Sequence, residues 1–134
     1  MDVTVIIATY GDAEWQQLAE QAAASAETQC DEVLCVHSDT LAAARNEGLR
    51  AAGGRYVIRL DADDQLEPGY VDALLTGTAD LRAPAVRYVT ETGHERLPRV
   101  PRVAGHDHDC TGECLPQGNW LVVGTLARRQ LLID

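Results

Sequence analysis

The chain has 134 residues, enough for one domain with a real core. Its formal net charge of −10 argues against a general nucleic-acid binder, because the phosphate backbone would be repelled. No stretch approaches the ~20 apolar residues of a membrane span. Met1-Asp2 also lacks the basic start and apolar segment of a secretion signal, so a soluble, cytoplasmic protein is expected. The charge is unevenly spread. Residues 1–44 hold eight acidic groups and no Arg or Lys; Arg45, Arg50, Arg55 and Arg59 then follow in quick succession. All eleven basic residues are Arg, whose planar fork suits phosphate.

Residues 3–8 form a β-branched run of the kind covered on both faces of a sheet. Asp12 is placed to cap a helix from Ala13 on which Trp15, Leu18, Ala19, Ala22, Ala23 and Ala26 recur at helical spacing. Residues 32–36 read as a second buried strand. Ser38 or Asp39 then caps a helix through Ala52, with Leu41, Ala44, Gly48, Leu49 and Ala52 on one stripe and Gly53-Gly54 ending it. A third strand covers 55–60, and a short helix runs from Pro68 to about Leu75. Strands alternating with helices imply parallel pairing and right-handed crossovers, a nucleotide-binding type of α/β sheet. Further on, residues 85–90 alternate like a strand with one wet face. Residues 91–118, with Pro98, Pro101 and Pro116, read as a long loop or loose hairpin of the kind that serves as a lid. Residues 119–123 are expected as a last strand and 125–133 as a helix, leaving a sheet edge near 119–134 open to homodimer pairing.

Three carboxylates crowd into Asp61-Ala62-Asp63-Asp64, directly after the third strand, where open α/β sheets bind their ligands. Side chains two apart on an extended chain share a side, so Asp61 and Asp63 can aim at one point. Like charges at ~4 Å repel by about 4 kcal/mol at an effective dielectric of 20, so such a cluster stays wet, takes up a proton or holds a cation. An all-oxygen anionic set suits Mg²⁺ or Mn²⁺ bridging to phosphates. The competing reading is a solvated turn in which Asp64 or Glu67 starts the next helix, with Pro68 in its first turn. An EF-hand loop is excluded by Leu66, where Gly is needed. Cys30 and Cys35 flank or enter an apolar strand and read as inert packing thiols. His106, His108, Cys110 and Cys114 could close a tetrahedral zinc site. Their spacing matches no standard zinc pattern, and a loop rich in Asp and His also suits a substrate lid.

Taken together these segments resemble family-2 glycosyltransferases. Residues 3–10 are similar to that family's opening V-I-I-P-T-Y strand. Ala44-Arg45-Asn46-Glu47-Gly48-Leu49 with Ala52, Gly54 and Tyr56 resembles its A-R-N-x-G-L…A-x-G-x-Y segment. Leu60-Asp61-Ala62-Asp63-Asp64 matches its L-D-A-D-D, a DXD motif; Pro68-Gly69-Tyr70 and Leu74-Leu75 continue the likeness, and 124–132 loosely resembles a later G-x-x-x-R-R segment. The resemblance implies a GT-A fold, a Rossmann-like three-layer α/β/α sandwich with a mainly parallel sheet. It implies metal-dependent transfer of a sugar, with inversion, from a nucleotide-diphosphate donor to an acceptor hydroxyl on a glycan, protein or lipid-linked molecule. Carried over by position, Ala8, Thr9 and Tyr10 would line the nucleotide pocket. His37 and Asp39 stand where the family usually has an acidic residue. Arg45 would lie near the nucleotide or diphosphate; the plainer alternative pairs it with Glu47 or another acid. Asp61, with Ala62, would face the ribose or metal, and Asp63 would hold the divalent ion, Mn²⁺ or Mg²⁺.

The expected organisation is a single domain over 1–134, with a nucleotide-sugar-binding half at 1–82 and a partial acceptor-side half at 83–134. The family's general base is an acidic residue in a segment beyond the end of this chain. Asp109, Glu113, His106 and His108 have no positional match to it. The chain is shorter than a complete GT-A catalytic domain and therefore reads as a fragment. A sugar-nucleotide pyrophosphorylase would carry a Gly-rich basic loop after the first strand, which Thr9-Tyr10-Gly11-Asp12 is not. An Asp-x-Asp phosphatase needs its pair after the first strand and Thr or Val following, whereas Gln65 sits here. The alternative of another class is a non-catalytic nucleotide-sugar-binding module.

Overall fold

The structure, a computed structural model, describes residues 2–83, 88–93, 95–96 and 124–133. Strand β1 (Val3–Tyr10) is buried along its whole length except at Tyr10. After it come α1 (Ala13–Ala26), β2 (Glu32–Ser38), α2 (Leu41–Ala51), β3 (Tyr56–Leu60), α3 (Tyr70–Leu75) and β4 (Leu81–Arg82). A two-residue hairpin, β5 (Tyr88–Val89) with β6 (Glu95–Arg96), is separate from the main sheet. Then β7 (Leu126–Arg128) and α4 (Gln130–Ile133) complete the described elements. The main sheet has the order β2-β1-β3-β7-β4. β1 pairs in parallel with β2 and β3, while β7 runs antiparallel to both β3 and β4.

Alternation along the strands builds two cores. Val3, Val5, Ile7, Ile58, Leu60 and Leu126 share one cluster with Ala19, Ala22, Ala23 and Ala26 of α1 and Val71 of α3. Ile6, Val57 and Ala127 pack on the opposite face with Ala52, Leu34 and Leu49. Helices therefore cover both faces, which is why β1 is apolar at every buried position but Thr4 and Thr9. The small residues of α1 and α2 set close helix-on-sheet packing. A Cβ added to Gly48 would collide with Ile6 Cγ2. One added to Gly54 would lie 2.7 Å from the Thr4 backbone nitrogen and 2.8 Å from Thr4 Oγ1. That approach satisfies a buried polar group. Thr4 Oγ1 accepts from Gly54 N–H at 2.9 Å and donates to Glu32 Oε2 at 2.6 Å. Glu32 Oε2 also accepts from Gly53 N–H. Leaving such a hydroxyl unpaired would cost about 1–3 kcal/mol.

Several sequence expectations are corrected. β2 is an edge strand among the described elements and only half-buried, so Cys35 is exposed; Cys30 is half-buried and donates to the Ala26 and Glu32 carbonyls. Helix α2 is capped by Thr40, whose Oγ1 accepts from Ala43 N–H, because the pairing of Ser38 with Tyr10 keeps Ser38 within β2. Asp12 does occupy the N-cap of α1, but its side chain makes no capping hydrogen bond. Helix α3 starts at Tyr70 rather than Pro68, behind a left-handed Gly69 at φ 80°. Neither Asp64 nor Glu67 is its cap. The helix expected over 125–133 is instead β7 followed by the single turn of α4, because Leu126 and Ala127 each fill the core on one face of the sheet. Consequently β7 lies between β3 and β4, so residues 126–128 are not an edge of the sheet. The third strand and the short helix lie close to their expected places. Of the strand expected over 85–90, Tyr88 and Val89 form β5. The strand at 119–123 and the His106–His108–Cys110–Cys114 zinc set lie outside the described residues. Among the described residues no helix is long and apolar enough to cross a membrane.

Candidate functional site

From β1 the chain passes through α1 to β2 on one side, then through α2 to β3 on the other. The carboxyl ends of β1 and β3 therefore flank a topological switch point, the crevice where open α/β sheets bind ligands. The register ends with Ile7 opposite Leu60, so the chain leaves β3 at Asp61 beside the last residues of β1.

Leu60 and Ala62 are buried and anchor the segment, turning Asp61 and Asp63 outward. A turn follows, closed by Asp64 N–H donating to the Asp61 carbonyl at 3.0 Å. It folds Asp64 back, so that Asp61, Asp63 and Asp64 each offer a carboxylate oxygen within 4.8 Å of the others. Alternation on an extended strand accounts for the first two carboxylates only. The third depends on the turn, and sequence reasoning left Asp64 out of the metal set for that reason. Burial, then the charges of Asp63 and Asp61, push the Asp64 carboxyl above its ordinary value. Three carboxylate oxygens this close offer the donor set that a hard cation takes. The residues fit a divalent ion.

The segment is held from behind. Leu66 N–H donates to Ser25 Oγ, and Val71 N–H points to Gln29 Oε1. Tyr70 Oη donates to the Gly124 carbonyl at 2.7 Å. Burial and the Asp64 charge push that hydroxyl well above the usual tyrosine range.

Arg45 arrives from α2. Gly48, one turn later, is what lets this helix lie against β1. Arg45 Nη2 donates to Asp61 Oδ1 at 3.1 Å, so its partner is Asp61 rather than Glu47, which accepts from Ser38 Oγ. Both side chains of the pair are about one-third exposed, at 35% and 37%. An ion pair that wet contributes at most about 1 kcal/mol to stability.

At the β1 end, Thr9 is buried, and its Oγ1 lies 3.0 Å from Nδ1 of the exposed His37, its register partner on β2. Tyr10, the last residue of β1, is 50% exposed, a large ring in water. Asp39 is also exposed, in the turn before α2. Ala8 and Ala62 are buried, so their side chains are not open to a ligand in solvent. An open cavity of about 420 Å³ lies elsewhere, between α1 and the 66–72 segment, and includes none of these residues.

An α/β sheet with convergent carboxylates and an arginine at its switch point has the layout of the class of proteins that bind nucleotides at the strand ends. Residues 4–96 match the family model described as Glycosyl transferase family 2, and the chain belongs to that family. The fold is accordingly of the GT-A type, and the family's activity is glycosyl transfer from a nucleotide-sugar donor to an acceptor. A search of curated proteins finds no match.

Proposed function

We propose that the chain binds a nucleotide-diphosphate sugar in the β1/β3 crevice, in company with Mn²⁺ or Mg²⁺, and transfers the sugar with inversion to an acceptor hydroxyl. The observation that carries this reading is the convergence of Asp61, Asp63 and Asp64 at the switch point. Asp63 and Asp61 hold the ion, with Asp64 beside them. Ala8, Thr9, Tyr10, His37, Asp39, Arg45 and Ala62 border the nucleotide and diphosphate. Residues 1–82 carry the donor half and 83–134 part of the acceptor half.

Breaking a sugar–diphosphate bond leaves added negative charge on the departing oxygen, and a bound divalent ion supplies neutralising charge there. Arg45 brings a planar cationic fork to the same end of the sheet. Tyr10 offers a face on which a base can stack. The acceptor hydroxyl needs a positioned general base on the far side of the sugar. The second reading is a nucleotide-sugar-binding module without turnover.

Calorimetry with UDP, GDP and TDP, with and without Mn²⁺, tests the donor reading. Binding of one of them that requires Mn²⁺ is expected, and Asp63→Ala should abolish the metal requirement while leaving the circular dichroism spectrum unchanged. Identical titrations of Asp63→Ala and the parent would remove the metal assignment. Sugar transfer or donor hydrolysis separates the enzyme from the binding module.

A further inference from the structure

The Arg45–Asp61 contact presents a conflict within the proposed site. Asp61 contributes an oxygen to the carboxylate cluster, yet its Oδ1 already accepts from Arg45 Nη2 at 3.1 Å. Of the three clustered carboxylates, Asp61 is the one that meets the Arg45 guanidinium. Pair and cluster come from different parts of the chain, since Arg45 is carried by α2 and the acids by the turn after β3. A divalent ion seated among these oxygens would stand beside the guanidinium and repel it. The ion pair is partly exposed, and pairs of that kind are easily exchanged. A guanidinium displaced from Asp61 is on a long side chain at the mouth of a crevice that, on the reading above, receives a diphosphate, for which its fork is well shaped.

We propose that Arg45 is the resident counter-cation of the cluster, competing with the divalent ion for Asp61 and passing to the diphosphate when donor and ion arrive together. The proposal rests on the metal–donor reading of the site. It assigns Arg45 two effects of opposite sign. Arg45 weakens the binding of metal alone and strengthens the binding of nucleotide in the presence of metal. An ion pair that merely holds the fold would do neither, and one that only orients Asp61 for the ion would strengthen both.

Calorimetric titration of Mn²⁺ alone, followed by UDP, GDP and TDP at saturating Mn²⁺, separates these cases in the parent, Arg45→Gln, Arg45→Met and Asp63→Ala. Circular dichroism checks each variant's fold. Arg45→Gln and Arg45→Met should bind Mn²⁺ about fivefold more tightly than the parent, as expected when one weak competing ion pair is removed. The same variants should bind the preferred nucleotide about tenfold more weakly, as when one charge-assisted contact to phosphate is lost. Unchanged or weaker Mn²⁺ binding in both Arg45 variants overturns the competition. If Asp63→Ala abolishes Mn²⁺ binding in that case, the metal site stands and only the role of Arg45 falls. If Asp63→Ala leaves Mn²⁺ binding intact, the metal reading itself falls, and this inference with it.

Discussion

Thr9 Oγ1 and His37 Nδ1 lie 3.0 Å apart and are register partners, so the last buried residue of β1 orients an exposed imidazole at the end of β2. With Nδ1 turned to Thr9, the ring presents its Nε2 edge away from that contact. If this edge reads the nucleobase, Thr9→Val should weaken nucleotide binding about fivefold, the worth of one hydrogen bond of ~1 kcal/mol. His37→Ala should in addition narrow the differences among UDP, GDP and TDP. Calorimetry on both variants checks this, and unaltered affinity and ranking would remove His37 from the pocket.

Asp64 is exposed, yet partial desolvation of its carboxyl and then its acidic neighbours raise its pKa above the ordinary 3.8. A raised folded value means that the ionised form is disfavoured in the fold, so above that pH the charge costs stability. Asp64→Asn should therefore melt slightly higher than the parent in chelator, with a gain below about 1 kcal/mol because the cluster is wet. Mn²⁺ should raise the parent's melting temperature by more than that of Asp64→Asn. Scanning calorimetry with and without Mn²⁺ reads both effects.

Gly54 is required by a close approach of backbone to backbone. Its added Cβ would meet the Thr4 nitrogen at 2.7 Å and the Tyr56 carbonyl oxygen at 2.9 Å, neither of which is a flexible chain end. Gly54→Ala should destabilise the protein by about 1–3 kcal/mol, the usual cost of forced overpacking. Urea denaturation at near-neutral pH provides the measurement.

Glu32 supplies a pH dependence of the opposite sense to Asp64. Gly53 N–H, then the Thr4 hydroxyl, hold its carboxyl below the ordinary 4.5. A depressed folded value contributes stability that is present above about 4.5 and is lost as pH falls through the folded value. Glu32→Gln should be the less stable protein near neutrality and show a flatter stability profile below about pH 4.5. Urea midpoints collected from neutral to acid should converge for the two proteins. Parallel profiles would mean that Glu32 is not linked to folding.

Much of the site was legible because its parts are local. The Asp61 and Asp63 pair follows from strand alternation, and Arg45, Gly48 and Gly54 belong to the segment that resembles the family's A-R-N-x-G-L…A-x-G-x-Y motif, within α2 and just before β3. Asp64 was not legible as a partner, since only the turn closed between Asp64 N–H and the Asp61 carbonyl brings it round. The pairing of Arg45 with Asp61 was likewise undecided. Several acids were within sequence reach, and the choice depended on how α2 lies against β1.

What residue order determined was the alternation of β-branched runs and alanine-striped helices, hence parallel pairing of the first three strands with the acidic cluster at the end of the third. Local propensity and periodicity carry that information within single segments. Tertiary structure alone decided the fate of residues 126–128. Their apolar pattern suits a helix, but the free side of β3 offered hydrogen bonds and two core faces for Leu126 and Ala127. It also decided that β2 is an edge and that Thr40 rather than Ser38 caps α2, because strand pairing with β1 held Ser38 in the sheet. In each case a long-range backbone partner outweighed the local preference, and no window of sequence contains both halves of such a pair.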